Sequence, residues 1–139
     1  MSVTFSDAVD QIMDLFKAAW DTTGFPTYYE DVRQQRDSSE NPWSTTTLRH
    51  ASGQQTTLGT ATGTSRFARE GLLVVQIFTP AGKGLQEAYN LAKVVADAYE
   101  GSTTPGGVWF RNVRLNEVGR DGRFFQMNVL VEFLYDELK

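Results

Sequence analysis

Residues 72–78 (LLVVQIF) are apolar at every position except Gln76, and no other feature constrains the fold of this chain as strongly. A run of branched and aromatic side chains this short and this dense reads as a strand. A strand that is apolar on both faces has to be covered on both. The run therefore predicts either a central strand between two layers, or a strand with its own helices on one face and a neighbouring subunit on the other.

The rest of the β-structure follows from weaker patterns. In residues 123–136, Phe125, Met127, Val129, Val131, Phe133 and Tyr135 alternate with Phe124, Gln126, Asn128, Leu130, Glu132 and Leu134. One face of that strand is wholly apolar, which pins its register, because a slip of one residue would turn the whole set to solvent. Residues 108–118 form the extended run before it, joined through Gly119, Arg120, Asp121 and Gly122, which is hairpin chemistry. Residues 43–50 (WSTTTLRH) are rich in threonine and read as a further strand, while Tyr28, Tyr29 and Val32 suit a short edge strand. Residues 33–41 are polar and turn-like. Residues 53–65 (GQQTTLGTATGTS) carry almost no charge and little apolar content, and predict a mobile loop or a long, exposed hairpin tip.

Two helices complete the reading. From Thr4 to Trp20 the apolar residues Phe5, Val9, Ile12, Phe16, Ala19 and Trp20 recur at helical spacing, with Asp7, Asp10, Asp14 and Lys17 turned outward. Thr4 and Asp7 fit a capping box, and Gly24 followed by Pro26 stops the helix. A second helix places Leu85, Ala88, Leu91, Ala92, Val95 and Tyr99 on one face and ends at Gly101. The order predicts a single α+β domain over residues 1–139, with a mainly antiparallel sheet of four to five strands and two helices packed on one face.

Composition narrows the function. The chain has 139 residues, 40% hydrophobic and 22% charged, enough for one core without staples. It has no cysteine, which removes disulfide frameworks, thiolate metal sites and cysteine nucleophiles together. Its first residues lack a basic stretch followed by an apolar run, and no segment approaches the length needed to cross a bilayer, so the expectation is a soluble protein with no export signal, made in the cytoplasm and without a membrane partner. A net charge of −4 argues against the nucleic-acid backbone as a specific partner.

Residues that carry chemistry are few and scattered. His50 is the one histidine, so sites built from several imidazoles are excluded, and no nucleophile elbow accompanies it. Residues 80–84 (PAGKG) place glycines and Lys83 before a helix, but a phosphate loop also needs an earlier glycine, where Phe78 and Thr79 stand, and a Ser or Thr after the lysine, where Gly84 stands. They read as a strand-to-helix turn. The carboxylates are spread over solvated faces, and Trp20, Trp43 and Trp109 suit core or interface packing. The expectation is a protein with no catalytic residue, metal or cofactor, acting through its surfaces. A small-molecule-binding α+β domain stays open as an alternative, and a deep pocket converging on His50 and buried carboxylates would favour it.

The second half carries a resemblance. Arg66 to Pro80 (RFAREGLLVVQIFTP), Gly84 with the helix after it, Phe110 in a strand, and residues 126–133 (QMNVLVEF) resemble the tail terminator, or tail completion, proteins of long-tailed bacteriophages and prophages. The likeness covers residues 64–136, and the leading helix also fits. It implies a structural, non-enzymatic subunit of a homo-hexameric ring at the head-proximal end of the virion tail. Such a ring stops tail-tube polymerisation and presents a docking surface to the head-tail connector, with DNA passing through its lumen. Its partners would be copies of itself, the tail tube protein and a connector or neck protein. A neck or head-tail joining protein is the nearest alternative in the same class.

Three contact regions are expected in such a ring. The loop holding Gln54, Thr57 and Leu58 would order on a neighbour or the tube. Arg66, Arg69 and Glu70 would form ion pairs between subunits beside the strand residues Leu72, Val74 and Phe78. The hairpin at Arg120 and Arg123 would touch an axial partner.

Overall fold

A computed structural model describes residues 3–29, 41–57, 65–82 and 85–139. Its elements run α1 (Phe5–Trp20), a 3-10 turn (Asp21–Thr23), β1 (Thr27–Tyr29), β2 (Trp43–Gln55), β3 (Arg66–Pro80), α2 (Gln86–Tyr99), β4 (Trp109–Asp121) and β5 (Phe124–Leu138). The five strands form one sheet in the order β1-β2-β3-β5-β4. β2, β3, β5 and β4 are antiparallel neighbours, whereas β1 adds three residues in parallel to β2. The fold is α+β, with the parallel β1 making the sheet mixed.

The alternation in β5 decides which face is the core. Met127, Val129, Val131, Phe133 and Tyr135 are buried, and the antiparallel register sets Leu73, Val75 and Ile77 of β3 beside them. Both helices cover this face. α1 contributes Ala8, Ile12, Phe16 and Trp20, and α2 contributes Ala88, Leu91, Ala92, Val95 and Tyr99. Each large side chain so buried stabilises the fold by about 1.5–3 kcal/mol relative to exposure. The helices are joined through polar atoms as well, since the Tyr99 hydroxyl donates to the Ile12 carbonyl at 2.9 Å.

Local signals set the helix ends. Thr4 is extended, and its hydroxyl accepts from the Asp7 amide at 3.2 Å, the N-cap bond expected there. Gly24 adopts a left-handed φ of 75° after the 3-10 turn, and Gly101 does the same at 72° after α2.

Several expectations are corrected. Phe5 and Leu85, assigned to the inner faces of the helices, are 47% and 42% exposed. Leu85 is the N-cap of α2, and Phe5 lies in the first turn of α1, beyond the covered part of the sheet. Residues 53–55 belong to β2, which pairs with β3 as far as Gln55↔Phe67, so the connection begins later than the glycines and threonines suggest. The β4–β5 turn tightens to Gly122 and Arg123, because Gly119 instead occupies a bulge opposite β5. The expected loop at 33–41, apart from Asn41, and Val32, Leu58, Lys83 and Gly84 lie outside the described residues.

Candidate assembly surfaces

The alternation that buries one face of β3 leaves Leu72, Val74, Gln76 and Phe78 on the other, all of intermediate exposure, and neither helix packs over them. Register carries the same face across the sheet. Leu72 pairs with Arg49 and Glu132, and Val74 with Thr47 and Leu130. Among the described residues the doubly apolar run is thus covered on one side only, by the chain's own helices.

At one end of this face the aromatics gather. The Trp43 ring stacks on Phe78 at 4.0 Å between centroids, with Tyr28 and Phe124 edge-on at 5.7 and 6.0 Å. At the other end charges gather. Arg111 reaches Glu70 and Glu132, each at 3.3 Å, and Arg114 reaches Glu132 at 3.0 Å. Asn112 also donates to Glu132, which holds that carboxyl below the usual carboxylate range together with the two arginines. Asn112 sits at a β4 bulge with φ 51°, a conformation that asparagine tolerates better than most residues.

The charged trio beside the run has partners within its own chain. Arg66 lies 3.8 Å from Asp136, both about half exposed, a pair worth little in water. Glu70 accepts from Ser52 at 2.8 Å and from Arg111. Arg69 faces the helix side, pairs with Glu137 at 3.1 Å, and lies over the rings of Phe5 at 4.8 Å and Phe67 at 5.3 Å. Both side chains of the Arg69–Glu137 pair are close to nine-tenths buried, so it fixes the base of the β2–β3 hairpin rather than decorating it.

In that hairpin the β2 strand is exposed beyond His50. Residues 51–57, including Gln54 and Thr57, are exposed and uncharged. The two strands still hold together beyond the ladder, since the Thr56 amide donates to the Arg66 carbonyl at 2.8 Å and the Arg66 amide to the Thr57 hydroxyl at 2.9 Å. Arg120 and Arg123 are exposed at the opposite end, in the β4–β5 hairpin, where Arg120 donates to the Gly122 carbonyl at 3.2 Å.

His50 lies where α1 meets β2. A 2.6 Å hydrogen bond joins its Nε2 to the Tyr135 hydroxyl, and the Phe5 ring meets it edge-on. Burial and then the Arg69 charge push the His50 pKa down, while burial pushes Tyr135 up to about 12. At neutral pH the hydroxyl is therefore protonated, and which of the two groups donates follows the tautomer of His50. The groove beside His50, about 330 Å³, is lined by Val9, Met13, Tyr29, Thr46 and Leu48, and among the described residues by no carboxylate. Among the described residues no group of three His, Cys, Asp or Glu could hold a metal ion.

Of the residues expected at interfaces, Leu72, Val74, Phe78 and Glu70 share the open face, Arg69 lies on the opposite face, and Gln54 and Thr57 lie on the hairpin. Sequence reasoning missed Arg111, Arg114 and Glu132. The charge alternation of β5 marked Glu132 as facing away from the core, but its arginine partners emerge only once β4 is set against β5.

A small α+β domain whose sheet is covered by helices on one face and, among the described residues, on that face only suits a protein that works through its surfaces. The comparisons give the family. A family model described as phage tail terminator protein matches residues 8–117, and the chain belongs to that family. It is a structural component of the phage tail. A solved structure with 15% sequence identity aligns over 87% of this chain and 93% of that one at a TM-score of 0.60, a likeness of fold. No curated protein matches the sequence.

Proposed function

We propose that this tail terminator closes into a hexameric ring on the head-proximal end of the tail tube, stops the tube from growing, and offers its far surface to the head-tail connector. The observation that supports the reading is the face of β3 and β5 that, among the described residues, neither helix covers. Leu72, Val74 and Leu130 form an apolar row there, bordered by Trp43 and Phe78 at one end and by Glu70, Arg111 and Glu132 at the other. Apolar centres with polar rims are the make-up of protein interfaces.

In this reading the β2–β3 hairpin, through Gln54, Thr57 and the residues after them, docks on a neighbour or on the tube. Its missing charge lowers the desolvation cost of burying it. Arg66 and Glu70 exchange their exposed partners for those of an adjacent subunit, while Arg69 holds the hairpin at the angle that allows the contact. Arg120 and Arg123 touch an axial partner. The acidic balance suits a ring through which DNA passes without being gripped.

The reading is tested by adding the purified protein to tail tube protein polymerising in vitro. Growth should halt, with the added chain found at one tube end by electron microscopy. Tubes that lengthen at an unchanged rate with saturating protein would refute it.

A further inference from the structure

The two lateral edges of the sheet are built differently. β4, at one edge, carries the features that keep an edge strand from pairing with another chain. Its ladder with β5 breaks between Arg111 and Arg114 and again between Glu117 and Gly119, and Asn112 and Gly119 stand at positive φ in those bulges. Arg111, Arg114, Glu117 and Arg120 are exposed along it, and Thr103 bridges its first residue, Trp109.

At the other edge β1 pairs with β2 at Ser44, Thr45 and Thr46. Beyond Thr46, among the described residues, no strand lies outside β2, and residues 51–55 (ASGQQ) hold neither charge nor proline. After one bulge, between His50 and Ser52, the ladder with β3 is regular to Gln55↔Phe67. The next residue shows which backbone groups face outward, because the Thr56 amide donates inward to the Arg66 carbonyl. Alternate residues of an antiparallel strand turn their amides and carbonyls the same way. Ser52 and Gln54 therefore bond β3, while Gly53 and Gln55 turn both backbone groups to the free edge.

We propose that this edge, at Gly53 and Gln55, takes an extended segment of the tail tube subunit as an added strand. The proposal rests on the terminator reading above and names its contact with the tube. Strand addition draws its affinity from main-chain hydrogen bonds and needs no matching side-chain charge, which suits an edge that has none. A second copy does not fit. Its β4 edge is guarded by bulges and charges, and two β2 edges paired with each other make a two-fold contact that cannot pass from copy to copy around a ring. The occupant is then a different protein. The last subunits of a tube are the ones that present an unmet contact, the one that would have held the next subunits, and a chain that ends the tube has to occupy it.

Proline at residue 55 removes one outward amide and leaves the inward ladder whole, the one orientation in which a strand accepts it. The test adds Gln55→Pro, folded by its urea midpoint, to polymerising tail tube protein. It should need about five- to tenfold more protein than the parent to halt growth, the scale of one backbone hydrogen bond. Gln55→Ala keeps the amide and should lose less. Hydrogen exchange on the unmodified chain gives a second measurement that depends on no variant. The amides of Gly53 and Gln55 should exchange freely in the free protein and slowly once it caps tube ends. A folded Gln55→Pro that halts the tube as the parent does would overturn the proposal, and so would unchanged exchange on capped tubes. Slow exchange in the free monomer would show that the chain covers its own edge, and slowing that needs only a raised concentration of the chain would show a second copy there; either overturns it. In all four results the parent still halts the tube and the terminator reading stands. A parent chain that fails to halt it overturns that reading instead.

Discussion

The guanidinium of Arg69 passes over Gly53 on the paired strand so closely that a Cβ at residue 53 would collide with its Nη1. Gly53 therefore serves as the floor of the slot in which Arg69 reaches Glu137 and the Phe5 ring. The slot ties the β2–β3 hairpin to the first turn of α1 and to the end of β5.

A Cβ at Gly71 meets harder neighbours, the Arg49 carbonyl oxygen, the Phe133 ring and the His50 Cα. Backbone cannot step aside as the end of an arginine can. Gly71→Ala should lower stability by about 1–3 kcal/mol through overpacking, while Gly53→Ala should cost less. Urea unfolding of the two variants against the parent checks the order.

Removing Glu137 leaves the Arg69 charge largely buried with its main partner gone. Glu137→Ala should destabilise by about 2–4 kcal/mol, and the double change with Arg69→Ala should cost less than the sum of the two singles. A thermodynamic cycle from four urea titrations measures the coupling, and strict additivity would mean that the pair does not hold the hairpin.

His50 titrates below its usual value because burial and Arg69 both oppose its proton. The unfolded chain then binds the proton more tightly than the folded one. Its share of stability is complete above the unfolded value of 6.5 and is lost as pH falls through the lower, folded value. His50→Gln keeps a polar partner for Tyr135 and has no titration in this range. Between pH 7.5 and pH 5 the urea midpoint of the parent should therefore fall further than that of the variant.

Asn112 holds a left-handed conformation while bonding Glu132, two separate demands on one residue. Asn112→Val should cost about 1–2 kcal/mol in backbone strain, and Asn112→Gly should keep the bulge while losing the side-chain bond. Amide exchange along β4 reads the difference, with faster exchange at 113–116 in the valine variant.

Much of the fold is legible where periodicity is strong. The alternation from Phe125 to Tyr135 names the core face of β5, and the Ile12, Phe16 and Trp20 spacing names that of α1. The run at 72–78 also marks the face that, among the described residues, neither helix covers. Legibility fails where tertiary pairing overrides local composition. Gly53 and Gln54 look like loop residues, yet the ladder with β3 extends through them to Gln55↔Phe67, a pairing that local composition does not carry. Phe5 follows the helical period but lies past the end of the covered sheet, so it packs on Arg69 and His50 instead. The Glu70–Arg111–Glu132 cluster joins three strands and depends on sheet order, which no local pattern carries.

The central claim is that this chain ends tail growth. Its most direct test is the distribution of tail lengths in electron micrographs after deletion of the gene, with and without the chain supplied in trans. Deletion should give overlong tubes that fail to join heads, and resupply should restore uniform tails. Uniform tails of ordinary length joined to heads in the deletion strain would contradict it.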